Sequence, residues 1–356
     1  MYIVIMAGGS GTRFWPASRK SLPKQFLNII GDKPMVLETF ERIQPLVPEE
    51  RILLVVGEQH KAETERVFAD HAVKILAEPK GRNTAPCIGL AAKYVESLGG
   101  HEPIIILPAD HYIARPEAFR AGLLQAAQIA SNGGIVTLGI IPTRPETGYG
   151  YIERAVEPEE SNVYPVERFV EKPTLQRAAD YLQSGNYYWN AGIFVATPQT
   201  LLAEFALHMP SFYESLVRLG ETFGRAEFAE ALLQLYDNTE GISFDYAIME
   251  KTSRPVYVIP CECGWSDVGS WQSLYEVRMA GGEDLFGNIT EGNTLLVDCE
   301  GSFIVSRGKR LLAALGLKDI LVVDTEDALL VADLAKSQEI RKIVDRLQKS
   351  DSTEVL

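Results

Sequence analysis

Two carboxylates and their settings are the first candidates for chemistry in this chain. Leu107-Pro108-Ala109-Asp110-His111 puts Asp110 just past an apolar run, and Asp267 lies in Gly264-Trp265-Ser266-Asp267-Val268-Gly269-Ser270-Trp271. Hard carboxylate oxygens suit Mg²⁺, which binds one or two protein carboxylates plus substrate phosphates. Asp110 and Asp267 are therefore candidate metal ligands that two distant segments could bring to one ion. Each reads equally as a helix N-cap. His111 has no histidine cluster around it and fits a supporting or packing role better than ligation.

Two further stretches suit a phosphorylated sugar. In Phe169-Val170-Glu171-Lys172-Pro173, Lys172 can meet a phosphate while Glu171 accepts from hydroxyls. In Trp189-Asn190-Ala191-Gly192, the Asn190 amide offers donor and acceptor together, as a hydroxyl pair requires. The alternatives are an exposed strand end and a turn asparagine.

The opening of the chain asks for an anion. Apolar residues 2–6 break into Ala7-Gly8-Gly9-Ser10-Gly11-Thr12-Arg13 and continue to Pro23-Lys24-Gln25. Small residues let a backbone wrap closely around a polyphosphate. Between Gly8 and Ile30 stand Arg13, Arg19, Lys20 and Lys24 and no acidic residue, in a chain of net charge -14. A Walker A loop would need Gly-Lys followed by Ser or Thr, which is absent. A dinucleotide fingerprint would need a third glycine where Phe14 stands. A purely structural turn between strand and helix is the remaining alternative.

These residues need a scaffold, and the length of 356 residues with 46% hydrophobic composition allows a large core. The acidic balance argues against a nucleic-acid groove or an anionic membrane surface as partner. Cys87, Cys261, Cys263 and Cys299 lack paired zinc spacing and are expected as reduced thiols. The apolar start is too short for a signal peptide or a membrane span, so a cytoplasmic location is expected.

Apolar runs at 52–56, 73–77, 104–107 and 135–139 predict buried strands, and helix-period patterns cover 58–69, 84–98 and 116–131. The alternation predicts an α/β fold, a Rossmann-like, mostly parallel sheet flanked by helices, with ligands beyond the carboxyl ends of its strands. From 148 to 260 the pattern is irregular: hairpin pieces at 149–155 and 163–170, an aromatic strand at 187–196 and helices within 198–236. A helix at 271–277 and a linker at 281–284 lead to closely spaced strands at 294–298, 302–306, 311–315, 320–324 and 328–331. A final helix is predicted over 336–348. Such short strands need another surface to pack on, either the main domain or a second subunit.

Taken in register, seven segments resemble the mannose-1-phosphate guanylyltransferases of the sugar-nucleotidyltransferase superfamily. They are Ala7 to Arg13 with Pro23 to Leu27, Glu78-Pro79 with Gly81 to Pro86, Leu107 to His111, Gly148 to Ile152, Glu171 to Pro173, Trp189 to Phe194, and Gly264 to Trp271. The resemblance runs over residues 1 to about 275, and the tail resembles that family's short left-handed β-helix domain. It implies a nucleotidyltransferase domain over 1–280 and a C-terminal β domain over 281–356. Because its short strands need another surface, a homodimer through that second domain is expected.

The implied reaction is GTP plus α-D-mannose 1-phosphate giving GDP-mannose plus pyrophosphate, with Mg²⁺. Ala7, Gly8, Gly9, Ser10, Gly11, Thr12 and Arg13 would bind the nucleotide, with Arg13 and Lys24 neutralising its phosphates. Asp110 and Asp267 would hold the metal, Lys172 the sugar phosphate, and Gly150, Glu171 and Asn190 the mannose. Guanine offers two adjacent donors, N1–H and the amino group, which one carboxylate can accept. Glu78 is therefore expected to read the base, assisted by Asn83 and Thr84; related uridylyl- and thymidylyltransferases tend to carry Gln there. Other readings are a transferase for a different hexose 1-phosphate or nucleotide, and a non-catalytic GDP-mannose-binding subunit. Some family members carry a fused, histidine-dependent isomerase. No His follows His208, so that second activity is not expected.

Overall fold

The computed structural model describes residues 1–9, 11–159, 162–281, 285–350 and 353–356. It divides into two compact units. The first comprises Met1–Gly8, Phe40–Ala109 and Ile113–Trp265, and the second Gly9–Thr39, Asp110–Tyr112 and Ser266–Leu356.

The first unit is built on a mixed nine-stranded sheet. Lys74–Glu78, Ile52–Gly57, Tyr2–Ala7 and Ile104–Pro108 lie side by side in parallel. The predicted aromatic strand, Tyr187–Ala196, then runs antiparallel between Ile104–Pro108 and Ile135–Ile140. Val256–Pro260, within the stretch predicted to be irregular, pairs in parallel with Ile135–Ile140. Ile52–Gly57 and Ile135–Ile140 are buried along their whole length, as continuous apolar strands covered on both faces must be.

Helices Thr84–Ser97 and Pro116–Ala130 form as predicted. The helix expected over 58–69 is a 3₁₀ turn, Glu58–His60, followed by a short α-helix, Lys61–Val67. Gly89 lets Thr84–Ser97 approach the helix Pro210–Gly220, because a Cβ there would lie 2.6 Å from the Phe212 ring. The core of this unit includes Val4, Leu53, Ile106, Phe194, Phe205, Tyr236 and Phe244.

In the second unit the predicted C-terminal strands form a β-helix-like stack. Ile289–Glu291, Phe303–Ser306 and Ile320–Asp324 pair successively in parallel, and Thr294–Val297 pairs in parallel with Leu312–Leu315. Leu329–Asp333 closes the larger sheet antiparallel to Ile320–Asp324. Inward residues Phe303, Val305, Leu321 and Val323 share one core with Phe14, Trp15, Trp271, Ile340 and Val344. The single helix predicted over 336–348 is instead a 3₁₀ segment, Leu334–Ile340, leading into the α-helix Arg341–Gln348. Within the 3₁₀ segment, Ser337 is fully buried and its hydroxyl accepts from the Gln272 backbone amide at 3.0 Å.

Candidate active site

Gly11 sits in the left-handed region at φ 59°, and a Cβ there would lie 2.5 Å from the Lys24 backbone nitrogen. Only glycine permits that approach. The Gln25 amide donates to the Gly9 carbonyl at 3.1 Å and the Ser18 hydroxyl to the Gly11 carbonyl at 2.7 Å, fixing the loop. Ser10 lies outside the described residues.

Lys24 is buried, and a buried cation must be paired. Its ammonium donates to the Asp110 carbonyl at 2.9 Å, to Asp110 Oδ2 at 3.0 Å and to the Asp267 carbonyl at 2.6 Å. All three of its N–H groups are thus engaged, and the pairing joins the two aspartates expected to share a metal. Burial pushes the Asp110 carboxyl up, but Lys24, with His111 and Arg13, outweighs it and holds the pKa below the ordinary value.

Asp267 Oδ1 accepts from the Gly269 amide at 3.2 Å. The intervening Val268 is held at φ 44°, a strained conformation for a β-branched residue, with its side chain fully buried. A Cβ on Gly269 would lie 2.6 Å from Asp267 Oδ2 and 3.2 Å from Arg13 Nη1, so carboxylate and guanidinium both close over this glycine. Neither aspartate is a helix cap: Ser270 caps Trp271–Met279, and Arg115 precedes Pro116–Ala130. Gly9, Gly11, Thr12, Arg13, Lys24, Asp110, His111, Asp267 and Gly269 line one cavity of about 820 Å³. Gln338, Arg341, Val344, Asp345 and Gln348, from the C-terminal 3₁₀ and α-helical segments, complete it.

The first unit holds the residues expected to read base and sugar. Ala7 is buried at a strand end, so it can offer a ligand little but backbone, while Gly8 is exposed. Glu78 ends its strand and is buried; Tyr236, also buried, donates to Glu78 Oε1 at 2.9 Å. Burial pushes the Glu78 pKa up to about 7, against the pull of the Tyr236 bond. A Cβ on Gly8 would sit 3.4 Å from Glu78 Oε2. Asn83 caps Thr84–Ser97 through its side chain, and the Thr84 hydroxyl accepts from the Phe244 amide at 2.8 Å. Both side chains therefore already serve the helix start.

Gly150, Glu171, Lys172 and Asn190 come together. A Cβ on Gly150 would collide with Glu171 Oε2 and lie 3.2 Å from Asn190 Cβ. Lys172 forms an ion pair with Glu171 Oε1. Burial opposes its charge, yet Glu171 keeps the ammonium's pKa above its ordinary value. Glu171 Oε2 is buried and has no hydrogen-bond partner among the described residues. The Asn190 amide donates to Asp245 Oδ1 at 2.7 Å and its Oδ1 accepts from the Gly192 amide at 2.9 Å, which fixes its orientation.

Asp245 was not singled out from sequence. It opens a π-helical turn, Asp245–Met249, a feature frequent at functional sites. Burial, and then the charge of Glu171, push its pKa up to about 6. Its only sequence signal is an acid amid aromatic neighbours in Phe244-Asp245-Tyr246. Tyr236, Gln338 and Arg341 carry no site signal in the sequence, because each sits in an ordinary amphipathic helical pattern.

Residues 2–283 match the family described as Nucleotidyl transferase. The chain belongs to that family. Residues 292–347 match a second description, the MannoseP isomerase/GMP-like beta-helix domain. This nucleotidyl transferase is 41% identical over 357 residues to a putative mannose-1-phosphate guanylyltransferase of Vibrio cholerae, covering 99% of the chain and 75% of that relative. It is 39% identical to the mannose-1-phosphate guanylyltransferase of Escherichia coli, covering 99% and 74%. A crystal structure from Thermus thermophilus, described as a mannose-1-phosphate geranyltransferase, matches with a TM-score of 0.88 at 38% identity, over 98% of this chain and 99% of that one. Within its family, this nucleotidyl transferase groups with the mannose-1-phosphate guanylyltransferases.

Proposed function

We propose that this enzyme transfers GMP from GTP to α-D-mannose 1-phosphate, giving GDP-mannose and pyrophosphate. The observation that carries the reading is the Lys24 ammonium holding Asp110 and Asp267 in a cavity that Arg13 and the glycine loop also line. Relatives named for that activity, matched over 99% of this chain and about three quarters of their own length, support it.

A phosphate oxygen of mannose 1-phosphate attacks the α-phosphorus in line. As that P–O bond forms, the bond to the β-bridging oxygen breaks and its electrons leave with pyrophosphate. No protein nucleophile is required, so positioning and charge neutralisation supply the acceleration. Gly8, Gly9, Ser10, Gly11, Thr12 and Arg13 bind the triphosphate, while Lys24 holds Asp110 ionised and in place. Glu78 accepts from guanine, with Asn83 and Thr84 shaping the helix start beside it. Lys172 meets the sugar phosphate, and Glu171, Asn190 and Gly150 frame the mannose; Glu171 Oε2, without a hydrogen-bond partner among the described residues, is placed to accept from a hydroxyl.

Among the described residues no group of three His, Cys, Asp or Glu could hold a metal ion unaided. Two carboxylates facing a phosphate cavity do fit Mg²⁺, whose remaining ligands are substrate phosphates and water. Asp110 and Asp267 would hold it. A bound Mg²⁺ would supply charge neutralisation for the phosphates as the α–β bond breaks. The test is pyrophosphate release with Asp110→Asn and Asp267→Asn: each is expected to lower turnover more than about a hundredfold, and retained turnover removes that residue from the site.

No helix among the described residues is long and apolar enough to cross a membrane. A cytoplasmic enzyme drawing on soluble GTP is part of the proposal, checked by fractionation. So is the division into a catalytic domain over 1–280 and a β-helix-like domain over 281–356, supported by the two family matches and checked by expressing each alone. A homodimer through the C-terminal strands is supported by the exposed Leu295, Val297, Leu315 and Val331. A monomer by sedimentation at micromolar concentration would count against it.

A further inference from the structure

The cavity that holds the glycine loop has a wall outside the matched nucleotidyl transferase segment of residues 2–283. Gln338, Arg341 and Asp345 are exposed residues on that wall. The wall is firmly mounted: Ile340 and Val344, from the same segment, are buried in one core with Phe14 and Trp15, which directly follow Arg13. Arg13 Nη1 reaches Gln338 Oε1 at 3.4 Å. The C-terminal helix thus places a guanidinium in the same cavity as Arg13, and guanidinium is the side chain best matched to bidentate phosphate recognition.

We propose that Arg341 is a second polyphosphate-binding arginine, contacting the β and γ phosphates that leave as pyrophosphate, and that the C-terminal helix is a working wall of the nucleotide site. This rests on reading the cavity as the triphosphate site. Asp345, one helical turn on, lines the same cavity, so its charge opposes the incoming polyphosphate.

The two residues give opposite signs in one experiment, and both are exposed, so folding should survive. Calorimetric titration of the intact protein with inorganic tripolyphosphate is expected to show about tenfold weaker binding in Arg341→Ala and tighter binding in Asp345→Asn. The KM for GTP, and for pyrophosphate in the reverse direction, should follow the same order, with the KM for mannose 1-phosphate nearly unchanged. Arg341→Lys should recover part of the loss. Tripolyphosphate affinity and KM for GTP unchanged in Arg341→Ala would overturn the inference while leaving the proposed function intact. Equal losses for both substrates, or a lowered thermal midpoint, would mark Arg341 as structural and also overturn it. Absence of GDP-mannose formation by the unaltered protein would instead overturn the functional reading, and the titration would still decide whether Arg341 binds polyphosphate.

Discussion

The Lys24 ammonium lies 3.0 Å from the Asp110 carboxylate and 2.9 Å from the same residue's backbone carbonyl. One buried cation therefore sets both the position and the ionisation of this aspartate. Its third bond, to the Asp267 carbonyl, ties in the other carboxylate segment.

Lys24→Met should be costly twice over. Breaking a buried ion pair costs about 3–5 kcal/mol, and the lower end applies because Asp110 is 35% exposed. Unfolding free energy by urea titration is expected to drop by about 3 kcal/mol, with kcat/KM down more than about a hundredfold. Wild-type stability in the variant would show that the pair does not organise the site.

If Glu78 reads guanine as proposed, GTP binding should carry a pH signature. Accepting from both guanine donors takes the ionised carboxylate, and its pKa stands at about 7. The KM for GTP should rise as pH falls through about 7 and level off above it. Stability has the opposite sign: a carboxyl that binds its proton more tightly when folded stabilises the protein at low pH, and that contribution is lost as pH climbs from 4.5 towards 7. Glu78→Gln should flatten the KM profile and weaken the preference for GTP over UTP and dTTP. An unchanged profile and preference would remove Glu78 from base recognition.

In the proposed sugar pocket, Gly150→Ala drives a methyl into Glu171 and Asn190. It should raise the KM for mannose 1-phosphate at least tenfold, an order-of-magnitude loss for displacing one charge-assisted contact. Asp245→Ala, which frees the Asn190 amide, should act in the same direction. Because both changes lie in the first unit beside Glu171, initial-rate kinetics should show the KM for GTP nearly unmoved in each; a shift shared equally by both substrates would contradict a sugar-specific role.

The loop from Gly8 to Arg13 was legible because its glycines, its cations and the preceding apolar strand are all local signals. So were the carboxylates after Leu107 and in the Trp265 to Trp271 segment. What the sequence did not show is that Lys24 spends its three bonds on Asp110 and Asp267, since a buried and an exposed lysine look alike before folding. Asp245 was hidden by its π-helical turn, which has no simple periodic signature. In the C-terminal segment, Ile340, Ile343 and Val344 fit a helical stripe, which predicts one continuous helix. Its first part is 3₁₀ instead, with Ser337 buried, and no periodic signal marks that change.

The central claim is tested most directly by measuring pyrophosphate release over a grid of nucleoside triphosphates and hexose 1-phosphates with Mg²⁺, with product identity checked by ³¹P NMR. GDP-mannose from GTP and mannose 1-phosphate is the expected dominant product. No release with that pair, or equal release across the grid, would contradict it.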